Sequence, residues 1–262
     1  MRMFSNLFAF RGRKSPIAEL IVGVMAAAFL LAAWELVVRF GFAKPQFLPS
    51  PGAVLSALWH MLTEQNLVWH TAVSAGRVWA AFLVAAAMAI PIGMLMSSYR
   101  IVGAALEPMI DFIRYLPVPA LVPLSIIWFG VGETTKIFLL WLGTFFQLVL
   151  FVADDARRVP HEYVEVARTV GANSRQVLTD VIIRAMGPSL LDNLRITLGW
   201  CWTYLIIAEI VAADSGIGFV IWSARRYVKT PEVMAGVVVI GLVGLVTDQL
   251  LRTLHRKTFR YL

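Results

Sequence analysis

Charge is scarce in this sequence. Of its 262 residues, 15% are Asp, Glu, Lys or Arg and 59% are hydrophobic, which excludes an ordinary soluble domain and fits a chain whose solvent is lipid. Cysteine is scarcer still, Cys201 being the only one. No intrachain disulfide and no cysteine metal cluster can form, and a lone thiol between Trp200 and Trp202 reads as inert packing. Signatures of chemistry are missing as well. No Gly-Lys pair occurs, so the chain lacks the phosphate-cradling loop of a nucleotide-binding protein and cannot hydrolyse ATP by that route. A His-Glu-x-x-His helix and a Gly-x-Ser-x-Gly turn are also absent, which removes two common routes to a metal site or a nucleophile. Catalytic residues, a bound metal and a cofactor of its own are therefore not expected.

What the chain has is long apolar runs. Six segments, about 17–40, 72–97, 102–130, 134–153, 189–212 and 231–251, approach or exceed the roughly 20 apolar residues that a membrane-crossing helix needs. They predict an all-α, polytopic membrane protein with about six transmembrane helices, preceded by a basic tail over residues 1–16. The first run is too long for the apolar part of a signal peptide and more spans follow, so an uncleaved span is expected. The formal charge of +7 raises nucleic acid as a partner, but the placement of the charges speaks against it. With six spans, Arg2, Arg11, Arg13, Lys14, Arg100, Arg157, Arg158, Arg168, Arg175, Arg184, Arg252, Arg256, Lys257 and Arg260 fall on one side. Lys44, Lys136, Arg225, Arg226 and Lys229 fall on the other. By the positive-inside rule both termini are cytoplasmic. The three outer charges from 225 to 229 fit that topology if the preceding residues form an amphipathic helix in the outer interface.

Several features inside the spans carry more information. Ala81, Ala85, Ala89 and Gly93 recur every four residues, a small-residue ridge on which another helix can pack closely. Pro117, Pro119 and Pro123 cannot all lie in an unbroken helix, and freed carbonyls at membrane depth must face protein or a wet cavity. Beside that break stands Arg114, whose charge costs roughly 2.5–3.5 kcal/mol at the centre of a span. It either pairs with Asp111 or Glu107 as a clamp or meets an anionic substrate. Gln147 reads as helix-helix glue or as lining of a pathway, and Thr203 in the fifth span is a further pathway candidate. Trp200 and Trp202 read as packing. Glu209, just before Asp214-Ser215-Gly216-Ile217-Gly218, is a gate contact or a carboxylate solvated at the interface.

One polar island interrupts the apolar blocks, PHEYVEVARTVGANSRQVLTDVIIRAMGP over 160–188. Pro160 suits a first helical turn, Glu162 and Glu165 complement a helix N-terminus, Gly171 ends that helix, and Asn173 or Ser174 caps a second. Val164, Ala167, Val170, Val177, Val181 and Ile182 recur at helical spacing and are expected inward, with Arg168, Arg175, Gln176 and Asp180 outward.

At Glu165, Ala167, Gly171, Ile182-Ile183 and Pro188 the island resembles the cytoplasmic coupling loop of ATP-binding-cassette (ABC) import permeases. Val166 stands where that motif has its first alanine and Arg184 where it has a proline. Further residues resemble one branch of that family, the nitrate, sulfonate, taurine and bicarbonate importers. They are Leu48-Pro49-Ser50-Pro51; His70, Ser74 and Arg77; Arg114, Pro117, Pro119, Pro123, Trp128-Phe129-Gly130, Gly132 and Lys136; and Ala208-Glu209 followed by Gly216-x-Gly218. The resemblance covers about 45–250. It implies a type I importer transmembrane fold with a permease core over about 70–252, in a bacterial inner membrane. It further implies a second copy of the chain, two cytoplasmic ATPase subunits that bind the ATP and Mg, and a periplasmic binding protein. On the resemblance, Glu165, Ala167, Arg168, Gly171, Ala172 and Asn173 form the ATPase-coupling loop. The implied cargo is a small anion of the sulfonate, taurine, nitrate or bicarbonate type. Importers of a thiamine precursor or an aromatic carboxylate share these motifs, and a self-contained carrier coupled through Glu209, Asp111 and Glu107 is the alternative from another class.

Overall fold

The computed structural model describes residues 16–212 and 214–259, and the basic tail before them lies outside the described residues. Every regular element among the described residues is a helix. In order they are α1 (Pro16–Arg39), α2 (Pro51–Glu64), α3 (Leu67–Ser98), α4 (Arg100–Ile113), α5 (Val118–Phe129), α6 (Glu133–Arg157), α7 (His161–Thr169), α8 (Ser174–Gln176), α9 (Ile183–Ala212), α10 (Ile217–Arg226) and α11 (Thr230–Thr258). Between α8 and α9 the chain passes without interruption through a π-helical stretch, Val177–Ile182.

Among the described residues the helices fall into two compact units, one up to Gln65 together with Ala224–Ala235, the other Asn66–Ser223 together with the residues from Gly236 onward. In the first unit α1 is apolar on every side between Glu19 and Glu35, and Leu20, Val24, Phe29 and Leu30 are all exposed, the surface of a helix suited to lipid. Trp34 Nε1 donates to the Pro49 carbonyl at 3.0 Å. The chain then turns into α2, where Ser50 accepts from the Ala53 amide at 3.2 Å and Pro51 occupies the first helical turn. There a missing N–H costs nothing. Leu55, Trp59 and Leu62 form an exposed apolar face along α2.

The second unit is built on α3 and α6, its most extensively packed pair. The small-residue ridge is where the two meet. Ala81, Ala85 and Ala89 are completely buried, and a Cβ at Gly93 would lie 2.7 Å from the Val149 carbonyl and from Val152 Cβ. Lipid supplies no hydrophobic drive between helices, so close van der Waals contact must supply the cohesion. The core continues through Met96, Ile110, Leu148, Val152 and Met186.

Among the described residues four helices, α1, α3, α6 and α11, are long and apolar enough to cross a membrane. The span expected over 102–130 is not one helix: α4 and α5 meet at 100°, either a broken span or a re-entrant loop. Pro117 stands at the corner and Pro119 in the first turn of α5, whereas Pro123 lies inside α5 and does not break it. The fifth expected span, α9, is 30 residues long but carries Asp192, Asn193 and Arg195 in its first half and falls short of the others in apolar length. These polar groups have partners: Arg195 Nε meets Asp248 at 2.7 Å and Asn193 donates to Asp155 at 2.7 Å.

The amphipathic helix expected in the outer interface is α10, and its apolar face is not left to lipid. Ile217, Val220 and Ile221 are buried within the protein, and Gly236 leaves the space that Ile221 fills. Arg226 is exposed at its end.

Candidate substrate cavity, polar latch and coupling elbow

A cavity of about 460 Å³ in the second unit is lined by Arg114, Gln147, Thr203, Trp200, Tyr204 and Gly143, with Leu121, Leu142 and Phe146 among its apolar walls. Three of the four pathway candidates, Arg114, Gln147 and Thr203, therefore share one space. Trp200, expected as packing, lines it too, while Trp202 is buried and donates to Thr247 at 3.1 Å. Arg114 reaches the cavity because α4 ends there, at the corner the prolines make. Its Nε pairs with Asp111 at 3.1 Å, one Nη donates to Gln147 Oε1 at 3.4 Å, and the other donates to the Tyr115 hydroxyl at 3.0 Å. Glu107, the alternative clamp, is taken by Arg157 at 2.7 and 3.0 Å. An exposed pair such as Arg114–Asp111 contributes about 0.2–1 kcal/mol, and two of the five guanidinium N–H donors remain for a ligand.

Glu209 is elsewhere. It lies in a buried cluster that joins α3, the start of α6, the end of α9 and the turn into α10. His70, Ser74 and Arg77 lie along one face of α3, as residues at i, i+4 and i+7 must. Arg77 is 3% exposed, yet all five of its N–H groups are engaged. Nε and Nη2 hold Glu133 at 2.7 and 2.6 Å, Nη1 holds Glu209 at 2.6 Å and the Ser215 carbonyl at 2.7 Å, and Nη2 also reaches Ser215 Oγ at 2.9 Å. Ser74 Oγ donates to Glu209 at 2.7 Å and accepts from the Ile217 amide at 2.8 Å. The second carboxylate oxygen of Glu209 accepts from the Gly218 amide at 2.7 Å. His70 Nδ1 accepts from the Gly216 amide at 3.0 Å, which places its proton on Nε2. Lys136, also buried, donates to Glu133 at 2.8 Å and stands 3.7 Å from Asp214. The exposed Asp214 carboxyl is held below its usual pKa by its own backbone N–H, by the Ser215 hydroxyl and by the Lys136 charge.

Glycine is required on this turn. Gly216 has φ +108° and a Cβ there would overlap the Glu209 carboxylate, while a Cβ at Gly218 would lie 2.6 Å from Glu209 Cβ. Sequence reasoning found Glu209 and noted His70, Ser74 and Arg77 without joining them, and it gave Glu133 no role. The available signal was the buried acid itself, which demands a cation on a facing helix.

The island over 160–188 folds as an elbow. In α7 the Ala172 amide bonds to the Ala167 carbonyl at 3.0 Å and the Gly171 amide to the Arg168 carbonyl at 2.9 Å. With Gly171 at φ +89°, this is a Schellman stop. Asn173 Oδ1 accepts from the Gln176 amide at 3.0 Å while Gln176 Oε1 accepts from the Asn173 amide at 2.9 Å, a reciprocal cap for the next helix. Ala167 and Val177 are buried and Glu165, Arg168 and Asn173 exposed. Val170, expected inward, is 80% exposed, because α7 has already ended at Thr169 and the chain is turning away. With Tyr163 and Val166 it forms an outward apolar strip on a charged helix. With Arg184 at the motif's proline position, the second helix runs on through the π-helical stretch into α9.

Residues 89–260 match the family described as "Binding-protein-dependent transport system inner membrane component". The taurine transport system permease protein TauC of Escherichia coli K12 is 34% identical over 261 residues, 98% of this chain and 94% of that protein. The bicarbonate transport system permease protein CmpB of Synechococcus elongatus is 31% identical over 198 residues, 75% of this chain and 71% of that protein. A chain of an amino acid ABC transporter solved with histidines shares the fold, with a TM-score of 0.60 at 17% identity over 78% of this chain and 98% of that one. With this match over most of its length, and with its apolar helices, the chain belongs to the inner-membrane permease components of binding-protein-dependent ABC transport systems, a family that transports and does not catalyse.

Proposed function

We propose that this permease conducts a small organic anion, of the sulfonate or taurine type, through a pathway that includes the cavity at Arg114. The observation that supports this is a single guanidinium with unused donors set in a largely apolar, aromatic wall. A planar cation recognises a sulfonate or carboxylate group, and the apolar remainder accommodates a carbon body that nitrate and bicarbonate lack. The aromatic walls suit an aromatic carboxylate as a second cargo. Delivery by a periplasmic binding protein and drive by two cytoplasmic ATPases fit a chain without a nucleotide site. The elbow over 160–188 presents Tyr163, Val166 and Val170 to the ATPase, with the loop of Glu165, Ala167, Arg168, Gly171, Ala172 and Asn173 holding their geometry. The one-sided distribution of basic residues supports a cytoplasmic elbow and cytoplasmic termini, and a second copy of the chain completes the pathway.

The test is ATP-driven uptake by the full complex in proteoliposomes. Arg114→Ala is expected to lower taurine or alkanesulfonate uptake at least tenfold while the complex still assembles, since a charge-assisted anion contact carries about 1.5–3 kcal/mol. Unchanged uptake in that variant refutes the role of Arg114 in the pathway.

A further inference from the structure

We propose that Tyr204, seated flat on Gly143, is the residue that sets the size limit of the cavity and so selects among organic anions by the length of their carbon body. The proposal rests on the functional reading above. Its basis is a contact that only glycine allows. A Cβ at Gly143 would lie 2.5, 2.8 and 2.9 Å from three successive ring atoms of Tyr204, so the ring rests against the backbone of α6. Both residues line the cavity together with Arg114 and Thr203.

The ring yields most easily toward the cavity that it lines. Next to it on α9, Cys201, Leu205 and Ala208 are completely buried, and on α6 so are Leu140 and Thr144. A close-packed interior does not absorb a ring, whereas the cavity is open space. Among the described residues the Tyr204 hydroxyl has no hydrogen-bond partner, so the seat on Gly143 is what holds the ring aside. The Arg114 head fixes one end of a bound anion, and the distance from it to the ring then limits the other end. Any side chain at position 143 therefore pushes Tyr204 toward the substrate, and removal of the ring enlarges the space.

The experiment measures uptake by the full complex of a ladder of straight-chain alkanesulfonates from methanesulfonate to hexanesulfonate. Each variant is compared with wild type probe by probe, so that the preference of the binding protein cancels. Gly143→Ala is expected to depress the longest transported probe at least tenfold more than the shortest, the scale of one methylene too many in an apolar pocket. Tyr204→Ala is expected to extend uptake to longer chains, and the double variant Gly143→Ala/Tyr204→Ala is expected to recover the probes that Gly143→Ala loses. If Gly143→Ala lowers all probes by one factor, or if removing the ring rescues nothing, the proposal is overturned and Gly143 serves only helix spacing. If wild type transports no probe on the ladder, the functional reading itself fails and the proposal with it.

Discussion

Replacing Glu209 with glutamine isolates what the buried cluster contributes. The change keeps the shape of the side chain and removes its charge, so Arg77, 3% exposed and held by that carboxylate at 2.6 Å, keeps only Glu133 as a charged partner. The loss goes beyond Coulomb attraction. One carboxylate oxygen accepts from Arg77 and Ser74 and the other from the Gly218 amide. An amide places an NH2 group against one of these sets whichever way it is turned. A buried donor then faces a buried donor. Breaking a buried pair by removing one partner costs about 3–5 kcal/mol. At about 2–4 °C per kcal/mol for a chain of this size, the apparent Tm is expected to fall by about 6–20 °C. The assay is thermal unfolding of the purified complex in lipid nanodiscs, followed at the permease chain. Arg77→Gln is expected to cost a similar amount, and the double variant less than the sum, because the two residues act as one unit. A Tm for Glu209→Gln within about 2 °C of wild type would falsify the claim that this carboxylate is a buried ion-pair partner rather than a solvated one.

Three further outcomes follow from the geometry. Gly171→Val places a β-branched residue at φ +89°, which costs on the order of 1–3 kcal/mol. It is expected to leave the bundle folded but to cut transport while the ATPase still turns over, so the ratio of substrate moved to ATP consumed is the measurement. Val170→Asp puts a charge into the exposed strip on the elbow, and the ATPase is expected to be lost on co-purification; retention of the ATPase at wild-type yield refutes docking there. Gly93→Leu forces a side chain into the 2.7 Å gap against Val149 and Val152. It is expected to destabilise the α3–α6 pair by about 1–3 kcal/mol or more, read as loss of monodisperse protein on size exclusion.

Features set by local chemistry were legible in the sequence. The ridge of Ala81, Ala85, Ala89 and Gly93 announces a close helix contact because every member is small and lies on one face. The elbow is legible because Gly171 and Asn173 are a stop and a start only two positions apart. Arg114, Gln147 and Thr203 stand out as polar groups among apolar ones, and they lie around one cavity. The reading weakened where tertiary packing decides. A proline run says that a helix breaks somewhere, but not that Pro117 makes the corner while Pro123 stays inside α5. Val170 fits an inward helical position until the helix ends one residue before it. Glu209 was visible as a charge in an apolar span, yet its partners come from positions 74, 77 and 218, and no local pattern connects them.

The second unit supplies a mechanical reason for this arrangement. Three helices run between the elbow and the latch: α3 from Arg77 to Ser98, α6 from Glu133 to Arg157, and α9 from the end of the elbow to Glu209. At about 1.5 Å per residue, the 25 residues of α6 span about 37 Å, enough to cross the hydrocarbon core. The cavity lies along the way, with Gln147 on α6 and Thr203 on α9. Along α3 and α6 the ridge leaves no slack between the two helices, so they are expected to move as one body. α9 differs. It leaves the elbow through the π-helical stretch Val177–Ile182, where the hydrogen-bond ladder is out of register and a helix bends most readily. It is tied to the others at its far end by Glu209. If the elbow is where the ATPase pushes, as proposed above, α9 is expected to swing against the α3–α6 pair about the latch, with the displacement growing from the latch toward the elbow and including the cavity on the way. A loosened latch lets α9 slip at the turn over 214–218 as well, so less of the push is expected to act at the cavity. Glu209→Gln is accordingly expected to lower the transport yield per ATP even at temperatures where the complex remains folded, and an unchanged yield there would leave the cluster with a purely structural part.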